Sequence, residues 1–546
     1  MISISKTFYQ SVLLLEIFFV SINSENILVF IGIHSSYSHR ASIEPLAYKL
    51  AERGHNVTFL NPERFHQTKR PNLTEFCPPI VKVHNDLVHD TFGVAGLKSR
   101  LRSKYAADLI ADYGRSMFEV AISGCEATFR SFEMQQLLKT TNFDLIIVDK
   151  CSISDCIHAL GHKLGAKVIE YQGLGMLFPW DYFNYGIPLE PWRIPMFDVA
   201  YETEELTFLD RIKSMYSILR WYYVYQTVYL EGLDKMTREV LNIPEMPPLK
   251  NLVLDVSLIL FNFHPSDHFV KSIPPFVVPA GGMHLQDSRK PLPRDLETFI
   301  QESTKGFIYI SFGSIIKIST VPPKFVQVFL EAMESLKDYQ FLWKWEGEKP
   351  ENVSSNVMVQ SWFPQQDVLA HPKIRGFISQ GGQISVQQAV HNGVPLILFP
   401  VNGDQDFNAK RLRSAGNGID MELFGLTADI LRDSVLKLVE DKSYSTVAAK
   451  LKRMSRDRPM SPVDTAVWWT EYVLRHDDTR FLKPTTKPWW MILSVDIVGF
   501  VAFILFMTLS VAIALILKAR QWYCKLLLES KVRLNISIAD AKKKLL

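Results

Sequence analysis

Apolar and polar positions along this chain follow two periods in turn. Residues 26–33 form a short apolar run, 34–40 are polar and turn-like, and 43–51 repeat apolar side chains at helical spacing. Gly54-His55 breaks the pattern, and 56–60 read as a second strand. The same strand, helix, strand succession returns at 143–148, 154–164 and 166–171. Such units place the loop after each strand at the carboxyl edge of a parallel sheet, where open α/β sheets take their ligands. Between 171 and 261 the pattern loosens around clustered aromatics, from Phe178 and Trp180 to Trp221 and Tyr223. Most of these are expected to be packing residues, with some lining a pocket for an apolar molecule. Pro274-Pro275 and Pro279-Ala280-Gly281-Gly282 mark a composition break, read as a linker. From Gly306 the alternation resumes, with strands at 307–311, 341–345, 357–360, 374–379 and 395–399 and helices at 323–336, 384–391 and 407–415. The fold class expected is α/β, two Rossmann-like domains (25–278 and 283–455) facing a cleft, followed by a helical segment over 456–488. No short-period repeat occurs, which excludes a solenoid.

The two ends carry different signals. Residues 1–24 read as a signal peptide, with Lys6, an apolar stretch over 12–20 interrupted by Glu16, and small polar residues at Ser21 and Ser24. Residues 497–517 are an uninterrupted run of apolar or small residues, long enough to cross a bilayer. With Trp489 and Trp490 as interfacial anchors, a membrane helix is expected over 491–517. The tail, 518–546, holds eight Lys or Arg and two acids, as suits a cytoplasmic face. Lys543 and Lys544 stand four and three residues from the carboxyl end and resemble a dilysine retrieval signal for the endoplasmic reticulum. The expectation is a single-pass type I protein of that membrane with a lumenal body. Sequons at Asn56, Asn72 and Asn352 would then face the lumen.

Composition changes this picture little. A formal net charge of +3 without a basic, aromatic-interleaved stripe argues against a nucleic-acid partner. The five cysteines have no metal-ligand spacing, although an oxidising lumen would permit a bridge.

The chemistry concentrates in residues 361–409, SWFPQQDVLAHPKIRGFISQGGQISVQQAVHNGVPLILFPVNGDQDFNA. A strand ends at Ser379, Gly381-Gly382 open a helix, and 400–404 form the next strand-to-helix loop. A diphosphate could sit on the Gly381 and Gly382 amides, because a helix start favours negative charge without a metal. This constellation resembles the donor-binding signature of the UDP-glycosyltransferase family, the membrane-bound UDP-glucuronosyl and UDP-glucosyltransferases. The resemblance extends over nearly the whole chain and implies the glycosyltransferase B fold. It implies that Trp362 stacks on uracil with Gln365 beside the base, that Ser314, Ser385 and Gly382 meet the phosphates, and that Asp404 and Gln405 hold sugar hydroxyls. Two positions depart from the family pattern: Gln380 stands for a His before the glycines, and Gln388 for a Glu that binds the ribose. A neutral hydrogen bond contributes about 1 kcal/mol where a charge-assisted one contributes about 1.5–3 kcal/mol, so a weaker donor site is expected.

The resemblance also implies that catalysis belongs to the N-terminal domain, where Ser38-His39 matches the family position. Histidine, with a pKa near 6.5, can take the proton of an attacking hydroxyl, and a carboxylate on its far nitrogen would orient it. Asp149 matches that partner, with Asp155 as the fallback. The implied reaction is inverting transfer of a hexose, glucose by preference, to a small lipophilic hydroxyl-bearing acceptor. UDP-sugar is a co-substrate, and neither cofactor nor metal is expected, although Asp404-Gln405-Asp406 formally spells DxD. The alternative is a non-catalytic UDP-sugar or lipid-binding relative with a degenerate donor site.

Overall fold

The computed structural model describes residues 24–32, 37–61, 70–102, 115–190, 206–485 and 487–544. Its first sheet contains β1 (Asn26–Phe30), β2 (Asn56–Leu60), β3 (Leu73–Phe76), β4 (Leu145–Asp149), β5 (Lys167–Gln172), β6 (Leu258–Phe261) and β7 (Val277–Pro279) in the order 3-2-1-4-5-6-7. Its second contains β8 (Phe307–Ser311), β9 (Gln340–Lys344), β10 (Val357–Gln360), β11 (Ile374–Ser379), β12 (Leu396–Leu398) and β13 (Gly418–Asp420) in the order 10-9-8-11-12-13. Every strand pair within the two sheets is parallel. Parallel sheets must be covered on both faces, which is why these strands read as continuous apolar runs. Successive residues face opposite ways. Ile27, Val29, Leu145 and Ile147 enter one core, and Leu28, Phe30, Ile146 and Val148 the other.

Strand order reverses between β1 and β4 in the first sheet and between β8 and β11 in the second. These are the topological switch points, where the loops leaving adjacent strands diverge and leave a crevice. The helices that matter for the site are α1 (Tyr37–Glu52), α2 (Pro79–Arg102), α3 (Arg115–Arg130), α4 (Cys156–Leu164), α5 (Gln383–Asn392), α6 (Gln405–Ala415), α7 (Pro462–Arg475) and α8 (Val495–Lys543).

Several features differ from the sequence expectation. The segment read as a linker contains β7, whose Val277 and Val278 register against Ile259 and Leu260 of β6. The prolines around it end an edge strand, where a missing N–H costs no ladder bond. The helical segment after 455 returns to the first sheet. Ala466, Val467 and Val473 of α7 join the core over one of its faces, and Glu471 pairs with Arg53. Cys125 of α3 and Cys156 of α4 form a disulfide with Cα atoms 6.3 Å apart. The aromatics Phe178, Trp180, Trp221 and Tyr225 pack among themselves inside the first half: Trp180 stacks on Phe178 and on Tyr225, the latter 4.4 Å away, and meets Trp221 edge-on. Trp192 lies outside the described residues.

The unit Thr485–Leu546 is separate. Within it α8 runs unbroken from Val495 to Lys543 and is, among the described residues, the one helix long and apolar enough to cross a membrane. It extends well past the expected end at Leu517, because 518–543 contain neither Gly nor Pro and are rich in helix formers. The expected signal peptide, Ser24 apart, lies outside the described residues. The three sequon asparagines, Asn56, Asn72 and Asn352, are all exposed.

Candidate active site

The loops after both switch points open on one cleft of about 310 Å³. From the first sheet come His39, in the first turn of α1, and Asp149, the last residue of β4. They are 110 positions apart in sequence. Parallel pairing of β1 with β4, Phe30 opposite Val148, brings the strand ends together. His39 Nδ1 lies 2.6 Å from Asp149 Oδ2, and Asp149 Oδ1 accepts from the Cys151 amide at 3.1 Å. Asp149 is fully buried, while the His39 side chain keeps 12% of its surface exposed in the cleft. Burial by itself pushes the imidazole pKa down. The charge of Asp149, the hydrogen bond to it and the charge of Asp404 outweigh that effect, and the pKa stands above the ordinary histidine value.

Asp155 serves elsewhere. Its Oδ1 accepts from Lys150 Nζ and from the Tyr225 hydroxyl, both at 3.0 Å, inside the first half. Asp155, His158 and Glu170 have ligand atoms within 4.8 Å of one another, as a metal would need. The ammonium of Lys150 is bonded to two of them, however, at 3.0 Å from Asp155 and 2.7 Å from Glu170.

The second sheet supplies the opposite wall. Trp362 is 52% exposed at the cleft, with the Tyr37 ring edge-on at 5.1 Å and Lys344 Nζ 5.6 Å from its centre. Gln365 Nε2 donates to Ser385 Oγ at 3.1 Å and to Gln388 Oε1 at 2.7 Å, joining the 362–365 loop to α5. Gln380 accepts from Ser379 Oγ at 3.0 Å. It packs against Gly313, beside Ser314, so closely that a Cβ there would collide with its amide. Asp404 accepts from the Gln383 amide at 3.1 Å and from Asn408 Nδ2 at 2.7 Å. Burial lifts its pKa to about 6, against the lowering effect of the Asn408 bond and, more weakly, of His39.

Two predicted contacts are oriented otherwise than expected. Gly381, at φ +89°, turns its N–H to Ser379 Oγ at 3.3 Å and does not line the cleft, whereas Gly382 does. Gln405 lines the cleft, but its Oε1 accepts from the Val401 and Asn402 amides at 2.9 and 3.1 Å, capping its own loop. Sequence reasoning also missed Lys344, the last residue of β9, whose Nζ donates to Gly313 O at 2.9 Å and pairs with Glu346. The carboxyl-edge rule applied to β9 would have found it.

Two parallel sheets whose switch points face one cleft define the glycosyltransferase B architecture. Solved structures share it. The calicheamicin glycosyltransferase CalG4 superposes with a TM-score of 0.56 at 16% identity, covering 83% of this chain and 99% of its own. Medicago truncatula UGT71G1, complexed with UDP-glucose, superposes with a TM-score of 0.54 at 16% identity and the same coverage.

The chain belongs to the UDP-glucoronosyl and UDP-glucosyl transferase family, whose model matches residues 27–534. It is 32% identical to UDP-glycosyltransferase UGT5 of Dactylopius coccus, over 86% of this chain and 87% of that protein. It is 28% identical to UDP-glucuronosyltransferase 1A8 of Rattus norvegicus, over 85% and 86%. The protein is thus a transferase that moves a sugar from a UDP-sugar to an acceptor.

Proposed function

We propose that the protein transfers glucose from UDP-glucose, with inversion, to a hydroxyl of a small lipophilic acceptor. The observation that carries this reading is the His39–Asp149 pair, bonded at 2.6 Å on the cleft wall opposite the donor loops. With Nδ1 committed to Asp149, Nε2 is the nitrogen left to take the acceptor proton as oxygen attacks the anomeric carbon and UDP departs. In this reading Trp362 stacks on uracil, and Gln365 and Gln388 serve the base and ribose. Gln380, Gly382, Ser385 and Ser314 meet the diphosphate. Asp404 meets sugar hydroxyls, and Gln405 holds the loop that presents it. No arginine lines the cleft among the described residues. Its lysines are Lys344, between the Trp362 ring and the Gly313 carbonyl, and Lys290, whose backbone amide donates to Asp367 just after the Trp362 loop at 2.6 Å. A carboxylate, Asp404, stands on the sugar side near His39, which favours a neutral hexose over a uronate. Leu174, Ala41, Ile315 and Ile316 give the cleft an apolar lining suited to a lipophilic acceptor. The Cys125–Cys156 disulfide supports an oxidising, lumenal setting, and Lys543-Lys544 support retrieval to the endoplasmic reticulum.

The test is turnover of UDP-glucose, UDP-galactose and UDP-glucuronate against phenolic and steroidal acceptors, with product linkage read by NMR. UDP-glucose is expected to be the preferred donor and the linkage β. A preference for UDP-glucuronate would overturn the donor assignment. A second reading, binding without turnover, is favoured by the two neutral side chains in the donor wall, Gln380 and Gln388, the latter accepting from Gln365. UDP binding by calorimetry without transfer from any donor would support it.

The assignment of roles makes a pH prediction. Asp149 stabilises the imidazolium, so Asp149→Asn should lower the pKa of His39. The acidic limb of kcat/KM should then move to lower pH while the plateau rate falls. Asp155→Asn should leave that limb in place. A limb that moves in the second variant and not in the first would assign the partner to Asp155.

A further inference from the structure

Helix α2 belongs to the first half by sequence, yet its C-terminal turns lie against the second half. Leu97 is buried in the core that covers one face of the second sheet, with Leu101 packed against it. On the same face Gly93 and Gly96 allow backbone approach. A Cβ on Gly93 would stand 2.6 Å from the Ile315 carbonyl oxygen, and one on Gly96 3.1 Å from Asn402 Nδ2. The next residue on this stripe is Arg100, whose side chain is 1% exposed. Its guanidinium pairs with Asp406, donates through Nη1 to Glu422 at 3.4 Å and through Nε to the Val401 carbonyl at 3.4 Å. All three partners belong to the second half. Val401 and Asp406 bracket the 401–405 loop that presents Asp404 and Gln405 to the cleft.

We infer that Arg100 is a positioning residue for the donor sugar: helix α2 of the acceptor half forms the back wall of the donor half's sugar loop and fixes it from behind. The inference rests on the proposed role of Asp404. A buried guanidinium is stable only with its charge matched, so the helix and the loop must keep this register. Its planar fork reaches one carbonyl and two carboxylates from separate nitrogens in fixed directions, a geometry that the single-centred ammonium of a lysine does not reproduce. The residues assigned to uracil and ribose, Trp362, Gln365 and Gln388, lie on the 362–365 loop and α5, whereas the partners of Arg100 lie on and beside the 401–405 loop. Arg100 therefore acts on the sugar and not on the nucleotide.

The experiment measures KM for UDP-glucose at saturating acceptor, and Kd for UDP alone, in full-length Arg100→Gln, Arg100→Lys and Gly96→Ala. A misplacement of about 1 Å in a binding group costs on the order of 100-fold. Donor KM should rise at least about tenfold in Arg100→Gln, with Arg100→Lys recovering part of the loss, while Kd for UDP stays within about twofold. Gly96→Ala keeps every buried charge and favours the helix, yet presses on Asn402, and it should give the same split in a folded protein. Equal losses of UDP and UDP-glucose affinity, or an unchanged donor KM in both Arg100→Gln and Gly96→Ala, would overturn the inference. A wild type that turns over no UDP-sugar would instead refute the enzymatic reading on which it rests.

Discussion

Alanine at position 39 is expected to cut sugar transfer by about 10²–10⁴-fold, the range that a positioned general base contributes. UDP affinity should be unchanged, because the nucleotide contacts are assigned to the second sheet and His39 sits on the first. The loss should appear in kcat and kcat/KM together, as for an interaction realised only in the transition state. The variant should also lose the acidic limb of the pH profile, since no other group on that wall has its position and partner. Calorimetry with UDP and initial rates between pH 5 and 9 check both parts. Turnover within about tenfold of wild type would remove His39 from the mechanism.

The second large effect is on stability. Lys150 is 2% exposed, and its ammonium bonds Asp155, Glu170 and the Tyr185 hydroxyl, the last at 3.3 Å. Burial by itself would strip its proton, but the two carboxylates outweigh burial and hold its pKa well above the usual lysine value. Burial likewise raises Glu170, and the lysine and His158 overcome it, bringing the carboxyl down to about 2. Lys150→Met leaves two buried carboxylates facing one another and should destabilise the first half by about 3–5 kcal/mol, the usual cost of breaking a buried pair. Urea unfolding followed by the buried Trp180 and Trp221 reports that half, and a shift below about 1 kcal/mol would refute the account. Adding Asp155→Asn and Glu170→Gln to Lys150→Met should restore part of the loss, because neutral amides need no counter-ion.

The central strands of both sheets were legible in the sequence because parallel strands buried on two faces leave contiguous apolar runs, and the motif loops follow those strands directly, whereas the short strands β3, β6, β7 and β13 were not read. The pairing of His39 with Asp149 across 110 residues came from the family resemblance, with Asp155 as the fallback, and the structure brings the two together because β1 and β4 are adjacent. What the sequence hides is contact that no period encodes. Cys125 and Cys156 meet because α3 and α4 pack together, and nothing in their spacing says so. The direction of the Gly381 N–H depends on a hydroxyl two residues back, and Gln405 turns inward to satisfy two amides of its own loop. Most of the aromatic cluster was expected to be packing, and Trp180 and Tyr225 do pack on each other inside the first half. Arg100 reads as an ordinary helix-end cation, and only the tertiary position of α2 makes it an internal counter-ion.

The return of α7 to the first sheet has a mechanical consequence. The polypeptide passes between the halves twice, once after β7 and again between the helix Lys442–Arg456 and the Ser461 cap of α7. Two crossings restrict the relative motion of the halves more than one would, and the Arg100 stripe of α2, buried against the second half, restricts it further. A protease nick in either crossing alone would leave the halves tethered, and the first half expressed by itself would expose the apolar surface that Ala466, Val467 and Val473 cover.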